Sequence, residues 1–225
     1  GVKKAQDEYS FTFEAVVTDG TPTDRERRLR TLISKDCASI IAVGSGYAPV
    51  ISELATEFPK AKFAIINDAS VRKLNVTSII FDQDQLAFLA GYSAALSSKN
   101  GKVAMLTSPI SADAYEGGFR IGAKAANKNI RTYSNVVTSG ARKITKSLIA
   151  DGVDVIYDAT DLSSNSIFST ILKSNNSKKR KNASTEVGII ITEPDQFLSV
   201  TTEDSKYLLA SLIKRVDIAV ADIIK

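Results

Sequence analysis

Residues 39–47 read Ser39-Ile40-Ile41-Ala42-Val43-Gly44-Ser45-Gly46-Tyr47, a β-branched apolar run that ends in a glycine turn. A helical pattern follows from Ala48 to Glu57, and a second apolar run follows from Lys62 to Ile66. Short apolar runs separated by helices are typical of buried parallel strands joined by crossover connections. This stretch therefore predicts a βαβ unit.

The same alternation extends along most of the chain. The predicted strands are 10–17, 39–43, 62–66, 76–81, 102–106, 132–137, 153–157 and 186–191, and the predicted helices are 23–35, 48–57, 85–97, 114–126, 141–150, 166–172 and a last one from Val216. A polar break at Ser97-Ser98-Lys99-Asn100-Gly101 separates two such series. We therefore predict an α/β fold of two doubly wound parallel-sheet lobes, 1–98 and 99–214, with a ligand cleft between them.

The composition excludes several classes of protein. The 225 residues include no His and a single Cys, which excludes Ser-His and Cys-His nucleophile pairs, His-bearing metal sites and an internal disulfide framework. The net charge of +4 is too small and too dispersed to indicate a nucleic-acid-binding protein. The basic segment 173–184 has no interleaved aromatic residue, and we interpret it as a solvated surface insertion.

The turn Gly44-Ser45-Gly46 resembles the beginning of a dinucleotide-binding loop, in which glycines let backbone N–H groups approach a pyrophosphate. The match fails at Pro49, where the third glycine would stand. We therefore predict a tight βα turn and no bound cofactor. Tyr47 follows this turn and remains a candidate for ligand contact.

Polar side chains follow several predicted strands at their carboxyl ends. Asp82, Asp84 and Gln85 follow one strand, Glu193 follows another, and Lys214 follows an apolar stretch near the end of the chain. Carboxylates, amides and an ammonium suit a polyhydroxylated ligand such as a ribose. Two alternatives stay open: the acidic groups at residues 82–84 can cap the next helix, and all these groups can be unrelated surface charges.

The chain resembles a known family in a series of phrases whose order and spacing are specific. They are Ile40 to Tyr47, Glu57-Phe58-Pro59-Lys60-Ala61-Lys62-Phe63-Ala64-Ile65-Ile66, Ala87-Phe88-Leu89-Ala90-Gly91, Tyr115 to Ala125, Asp151-Gly152-Val153-Asp154-Val155-Ile156-Tyr157, and Ser211 to Val220. On these residues the chain resembles the basic membrane protein or purine nucleoside receptor A-like (PnrA-like) family of ABC transporter substrate-binding lipoproteins. That family has a type I periplasmic-binding fold.

The resemblance implies a function without covalent chemistry, cofactor or metal. The protein would close two lobes around a nucleoside and deliver it to ABC permease subunits. Asp82, Asp84, Gln85 and Glu193 would face ribose hydroxyls, Lys214 would lie near the same sugar, and Tyr47 and Tyr157 would border the base. Residues 215–225 would return to the first lobe.

The resemblance also implies a location outside the cytoplasm. We expect a monomeric lipoprotein held at the cell membrane by a lipid anchor, with the anchor and the signal outside this chain. We also expect that an opening strand and a closing segment of the fold are absent from this sequence.

Two other functions remain as alternatives. A ligand-sensing regulatory domain can be built on the same two lobes. An α/β enzyme that uses a nucleotide or sugar would need Asp82, Asp84 or Glu193 as its base.

Overall fold

The computed structural model describes residues 2–109, 112–160, 164–177, 185–192 and 200–224. In chain order the helices and strands are α1 Val2–Tyr9, α2 Pro22–Ser34, β1 Ile40–Val43, α3 Ala48–Glu57, β2 Phe63–Ile66, β3 Val76–Ile79, α4 Gln83–Ser97, β4 Lys102–Thr107, α5 Ala112–Ala126, β5 Arg131–Val136, α6 Ala141–Ala150, β6 Val155–Ala159, α7 Ser164–Asn175, β7 Gly188–Thr192, β8 Leu208–Leu212 and α8 Val216–Ile224.

The chain divides into two compact units, Gly1–Phe81 with Lys214–Lys225, and Asp82–Ile213. The second unit begins at the amino end of α4, whereas the lobe boundary expected from the sequence lies at the carboxyl end of the same helix. The reason for this division is that α4 packs against α5. Where the lobes of the whole protein separate stays a prediction.

The sheet of the first unit has the order β1-β2-β3, with all strands parallel. Alternate residues of its strands face opposite sides. Ile40 and Ile65 pack into a core with α2 and α3, while Ile41 and Ile66 pack with α1 and α8. Because both faces of the sheet are covered, β1 and β2 read as continuous apolar runs in the sequence.

The sheet of the second unit has the order β5-β4-β6-β7-β8 and is also parallel throughout. Val103 and Met105 of β4 pack with α4 and α5, whereas Ala104 and Leu106 pack with α6 and α7. Helices therefore cover both faces, and the predicted class of α/β fold with doubly wound parallel sheets is confirmed.

The strand predicted at residues 10–17 is wrong, because this segment forms no strand and pairs with none of the strands in the described residues. Alternation of apolar residues indicates that one face of a segment can be buried. A strand forms only where a neighbouring strand provides hydrogen-bond partners for its backbone. Contacts with helices hold the segment instead. Gln6 Nε2 donates to the Phe11 carbonyl at 2.9 Å, and Lys35 Nζ pairs with Glu14 at 2.7 Å.

The segment predicted as a surface insertion begins inside α7, so its first residues are helical rather than inserted. Asn175 is buried and exchanges hydrogen bonds of 2.9 Å with both backbone groups of Val187, which fixes the end of α7 beside β7. Residues 178–184 of the predicted insertion lie outside the described residues.

Glycines allow the backbones of α4 and α5 to approach closely. A Cβ atom at Gly122 would lie 2.0 Å from the Phe88 carbonyl oxygen, and one at Gly118 would lie 2.2 Å from that of Asp84. From the other helix, a Cβ at Gly91 would lie 2.0 Å from the Phe119 carbonyl oxygen. No side chain fits at these distances, so the contact fixes where α4 begins.

We expect Gly122→Ala to lower the free energy of unfolding by about 1–3 kcal/mol, because the helices must move apart to admit a methyl group. Gly117→Ala on the same helix is the matched control, since nothing lies within 4 Å of its Cβ position. The control should gain about 0.5–1 kcal/mol from helix propensity. Urea unfolding measures both; equal effects of the two variants would contradict the close approach.

A buried carboxylate organises the connection between α4 and β4. Asp154 is 2% exposed and accepts hydrogen bonds from Ser98 Oγ at 2.6 Å, Lys99 N at 2.7 Å and Asn100 N at 2.8 Å. Asn100 Nδ2 also donates to the Gly152 carbonyl at 3.0 Å. These bonds tie the polar turn that separates the two predicted series to the amino end of β6.

Asp154→Ala should lower the free energy of unfolding by about 2–4 kcal/mol, because it removes the buried acceptor that three donors of the turn share. Asp151→Ala should change stability by less than about 0.5 kcal/mol, because that exposed side chain makes no recorded hydrogen bond within the described chain. Chemical denaturation of both variants provides the comparison. A loss for Asp154→Ala as small as that of the control would show that the three bonds do not hold the turn.

Candidate functional site

The turn after β1 places Tyr47 at the carboxyl edge of the first sheet. Gly44 has a φ of +111°, which a residue with a side chain rarely adopts. Its N–H donates to the Ile66 carbonyl at 2.8 Å, and its own carbonyl accepts from Tyr47 N at 3.2 Å. The chain then enters α3 with Pro49 in its first turn. The tight βα turn predicted from the sequence is therefore present, and Tyr47 is half-buried.

Arg25 of α2 lies against this turn, whereas its place in the arginine-rich helix 23–35 indicates only a solvated face. Its Nη1 donates to the Gly46 carbonyl at 3.0 Å, and its guanidinium carbon lies 5.3 Å from the centre of the Tyr47 ring. A Cβ at Gly46 would lie 2.7 Å from the same Nη1, so the glycine makes room for the guanidinium. The Arg25 Nε is buried and has no partner among the described residues. Arg25 thus orients Tyr47 and brings a positive charge to this edge.

Other arginines of α2 are engaged within the first unit. Asp24 is 5% exposed and binds Arg27 and Arg28. The Asp19 N–H donates to Asp24 at 3.0 Å. This hydrogen bond, and next that of the Arg27 guanidinium, hold the pKa of the Asp24 carboxyl below its usual value. These groups stabilise the start of α2 and are not free to bind a ligand.

Asp82, Asp84 and Gln85 lie together in and before the first turn of α4. The Asp82 carboxylate accepts a hydrogen bond of 3.0 Å from Gln85 N and caps the helix, as one of the alternatives predicted. All three side chains are nevertheless exposed. Since a carboxylate accepts several hydrogen bonds, capping leaves Asp82 with acceptor capacity for a ligand hydroxyl.

Tyr157 lies in the core of the second unit. Its side chain is 0% exposed, and its ring stacks on Phe119 at a centroid distance of 5.8 Å. Its hydroxyl lies 2.7 Å from Thr192 Oγ1, at the end of β7. The ring therefore offers no open face in this structure, and its predicted contact with a base stays a prediction.

Two predicted site residues remain, Lys214 and Glu193. Lys214 lies between β8 and α8, is half-buried, and forms no recorded ion pair within the described ranges. Glu193 lies outside the described residues. By unit, Tyr47 and Lys214 belong to the first, and Asp82, Asp84, Gln85 and Tyr157 belong to the second.

Further polar groups stand near the strand ends. Asp158 of β6 is 0% exposed, and its Oδ1 accepts from Thr160 N at 2.9 Å and from Thr160 Oγ1 at 2.6 Å. The hydroxyls of Ser78 on β3 and Ser211 on β8 are buried and have no hydrogen-bond partner within the described chain. Single serines and threonines in apolar runs carry no recognisable pattern, so the sequence did not point to them.

The chemistry available at these positions is hydrogen bonding. Among the described residues, no group of three or more Cys, Asp or Glu side chains could hold a metal ion. No helix in the described ranges is long and apolar enough to cross a membrane. Carboxylates, hydroxyls and an ammonium can bind a polar solute by matching its donors and acceptors.

Solved structures share this fold at low sequence identity. A transcriptional activator of the comK gene from Bacillus halodurans matches with a TM-score of 0.74 and 21% identity, over 99% of this chain and 74% of that one. An ABC transporter solute-binding protein from Aeropyrum pernix matches with a TM-score of 0.70 and 19% identity, over 98% of this chain and 62% of that one. These likenesses establish the fold, which is that of type I periplasmic binding proteins.

Curated relatives are closer in sequence. The CD4+ T-cell-stimulating antigen of Listeria innocua is 32% identical over 99% of this chain and 63% of its own length. The ABC transporter nucleoside-binding protein BmpA of Lactococcus lactis is 28% identical over 82% of this chain and 55% of its own length. The chain thus spans less than two thirds of the length of these relatives.

The family model described as ABC transporter substrate-binding protein PnrA-like matches residues 1–225. The match extends over both compact units. The chain belongs to this family of PnrA-like ABC transporter substrate-binding proteins.

Proposed function

We propose that the protein containing this chain captures a purine nucleoside for an ABC importer and performs no covalent chemistry. The observation that carries the proposal is the family match along all of residues 1–225. The family is one of substrate-binding proteins. Which substrate this member binds is the part that the proposal adds.

A nucleoside is supported by a relative and by the available side chains. The Lactococcus lactis relative is named as a nucleoside-binding protein. Exposed Asp82 and Asp84 carboxylates are acceptors for the vicinal hydroxyls of a ribose, and Lys214 is a donor to a sugar oxygen. Glu193 is proposed as a further acceptor for the sugar.

The base would be bound through its aromatic face. Of the two tyrosines expected there, Tyr47 has exposed surface and carries the Arg25 guanidinium on its ring. Tyr157 would have to leave its packing against Phe119 to reach a ligand. We therefore propose Tyr47 as the principal contact, because stacking on one ring tolerates different purines.

Location and partners follow from the same proposal. The protein would act outside the cytoplasm, be held at the cell membrane by a lipid anchor outside this chain, and deliver its solute as a monomer to permease subunits. A regulatory domain of the same fold would bind a solute without a permease, and an enzyme would alter it.

Titration calorimetry with adenosine, guanosine and inosine tests the proposal. We expect binding, with the nucleoside recovered unchanged by chromatography. Lys214→Ala should weaken binding by about 5- to 150-fold through loss of a charge-assisted hydrogen bond, equivalent to about 1–3 kcal/mol. Lys60→Ala is the control, since that exposed lysine precedes β2 at the amino end of the same sheet.

Absence of binding by all three nucleosides at submillimolar concentration would exclude the nucleoside, and riboflavin would be the next solute to test. A chemically altered product would instead support the enzyme. An equal loss of affinity in both lysine variants would remove Lys214 from the site.

Asp82→Asn separates the capping role of Asp82 from ligand binding. Asn caps a helix about as well as Asp, so the free energy of unfolding should change by less than about 0.5 kcal/mol. Loss of the charge should weaken nucleoside binding about tenfold, because hydrogen bonds to an ionised acceptor are about twice as strong. Thermal unfolding and calorimetry on the same variant give both values. Unchanged affinity would assign Asp82 to capping alone.

A further inference from the structure

A groove between α6 and α7 lies on the face of the second sheet opposite to α4 and α5. It has a volume of about 390 Å³. Its lining residues are Arg142, Lys146, Ser169, Thr170, Lys173 and Ser174. Because it lies across the sheet from Tyr157 and α4, it is separate from Asp82, Asp84, Gln85 and Tyr157.

Helical spacing brings the positive charges to one groove. Arg142 and Lys146 are four residues apart on α6, and Lys173 lies on the facing helix α7. All three are exposed, and neither helix contains an Asp or Glu. Within the described ranges, no carboxylate forms an ion pair with any of them. The groove therefore concentrates positive charge that no ion pair with a described carboxylate neutralises.

The surface of α2 carries a second groove, in which ion pairs within the protein neutralise an arginine. That surface has a cavity of about 530 Å³ that is also lined by arginines and hydroxyls. There, however, Arg30 binds Glu26 and Glu57 at 2.8 Å each. Bidentate pairing with Glu57 holds that guanidinium in the unit's own structure. Of the two grooves, the one between α6 and α7 is therefore the one able to bind an external anion.

The hydroxyl groups refine the type of ligand. Thr170 Oγ1 and Ser169 Oγ donate to the Ser166 carbonyl at 2.7 and 3.2 Å, so their hydrogens are used within α7. Ser174 Oγ makes no recorded hydrogen bond within the described chain and is free to donate. The groove thus offers a guanidinium fork, ammonium groups and a hydroxyl, which are all donors.

We propose that this groove is a binding site for phosphate groups. A phosphate carries up to two negative charges at neutral pH and several acceptor oxygens, which match a cluster of donors better than a single carboxylate does. The phosphate can belong to an anionic lipid headgroup or to a soluble ligand.

The test compares the protein with a groove variant and a charge-matched control. The groove variant is Arg142→Gln/Lys146→Gln/Lys173→Gln. The control is Lys99→Gln/Arg120→Gln/Lys128→Gln, which removes the same charge from exposed positions of the second unit that line no part of the groove. One arm measures sedimentation with vesicles of phosphatidylcholine, with and without phosphatidylglycerol. The other measures titration calorimetry with inorganic phosphate and pyrophosphate.

We expect binding in at least one arm, a loss of about tenfold or more in the groove variant, and little change in the control. Binding to phosphatidylglycerol vesicles alone assigns the site to a lipid surface, and binding to phosphate or pyrophosphate alone assigns it to a soluble ligand. Arg142→Lys/Lys146→Arg/Lys173→Arg keeps the charges and should retain binding, which separates loss of charge from loss of fold.

The proposal is overturned by absence of binding in both arms, or by equal losses in the groove variant and the control. It is also overturned if polyglutamate displaces the bound phosphate or vesicle as effectively as pyrophosphate does, because the groove would then accept any anion. None of these outcomes depends on nucleoside binding, which is measured on a different set of residues.

Discussion

The contact between α4 and α5 is the constraint on which the second unit depends. Glycines at positions 91, 118 and 122 let backbone atoms of each helix occupy the place of the other's side chains. This fixes the amino end of α4, where Asp82 caps the helix and exposes its carboxylate. The most exposed candidate ligand groups are therefore positioned by a steric requirement in the core.

The two units share one arrangement of sheet and helices. Each buries both faces of a parallel sheet, so polar side chains are restricted to strand ends, turns and helix surfaces. In the first unit a glycine turn and Arg25 set Tyr47 at such an end. A fold of this kind offers hydrogen-bonding groups on stable supports, which suits capture of a polar solute, and it leaves outer helix grooves such as that between α6 and α7 for other ligands.

Most of the fold could be predicted because strand and helix periodicities are local properties. The strand from Ile40, the helix from Ala48 and the strand from Phe63 lie within a residue of their predicted bounds. The strand prediction for residues 10–17 failed, because a strand needs a neighbouring strand to pair with. No local pattern indicates whether such a neighbour is present. Of the candidate site residues, Asp82, Asp84 and Gln85 are neighbours in the sequence and lie together at the start of α4. Arg25 could not be placed from the sequence, because only folding brings it against the turn at Gly46.

The sequence by itself determined the class of fold and the family, and it indicated candidate residues for binding a polyhydroxylated solute. These follow from composition, periodicity and the order of short phrases, which do not require knowledge of contacts. Tertiary structure decided which of those residues are accessible. Tyr157 is enclosed and Tyr47 is not, because Tyr157 lies in the middle of β6, where α5 places Phe119 and Tyr115 against its ring. Burial is a property of neighbours that are distant in sequence, so only the folded chain could assign it.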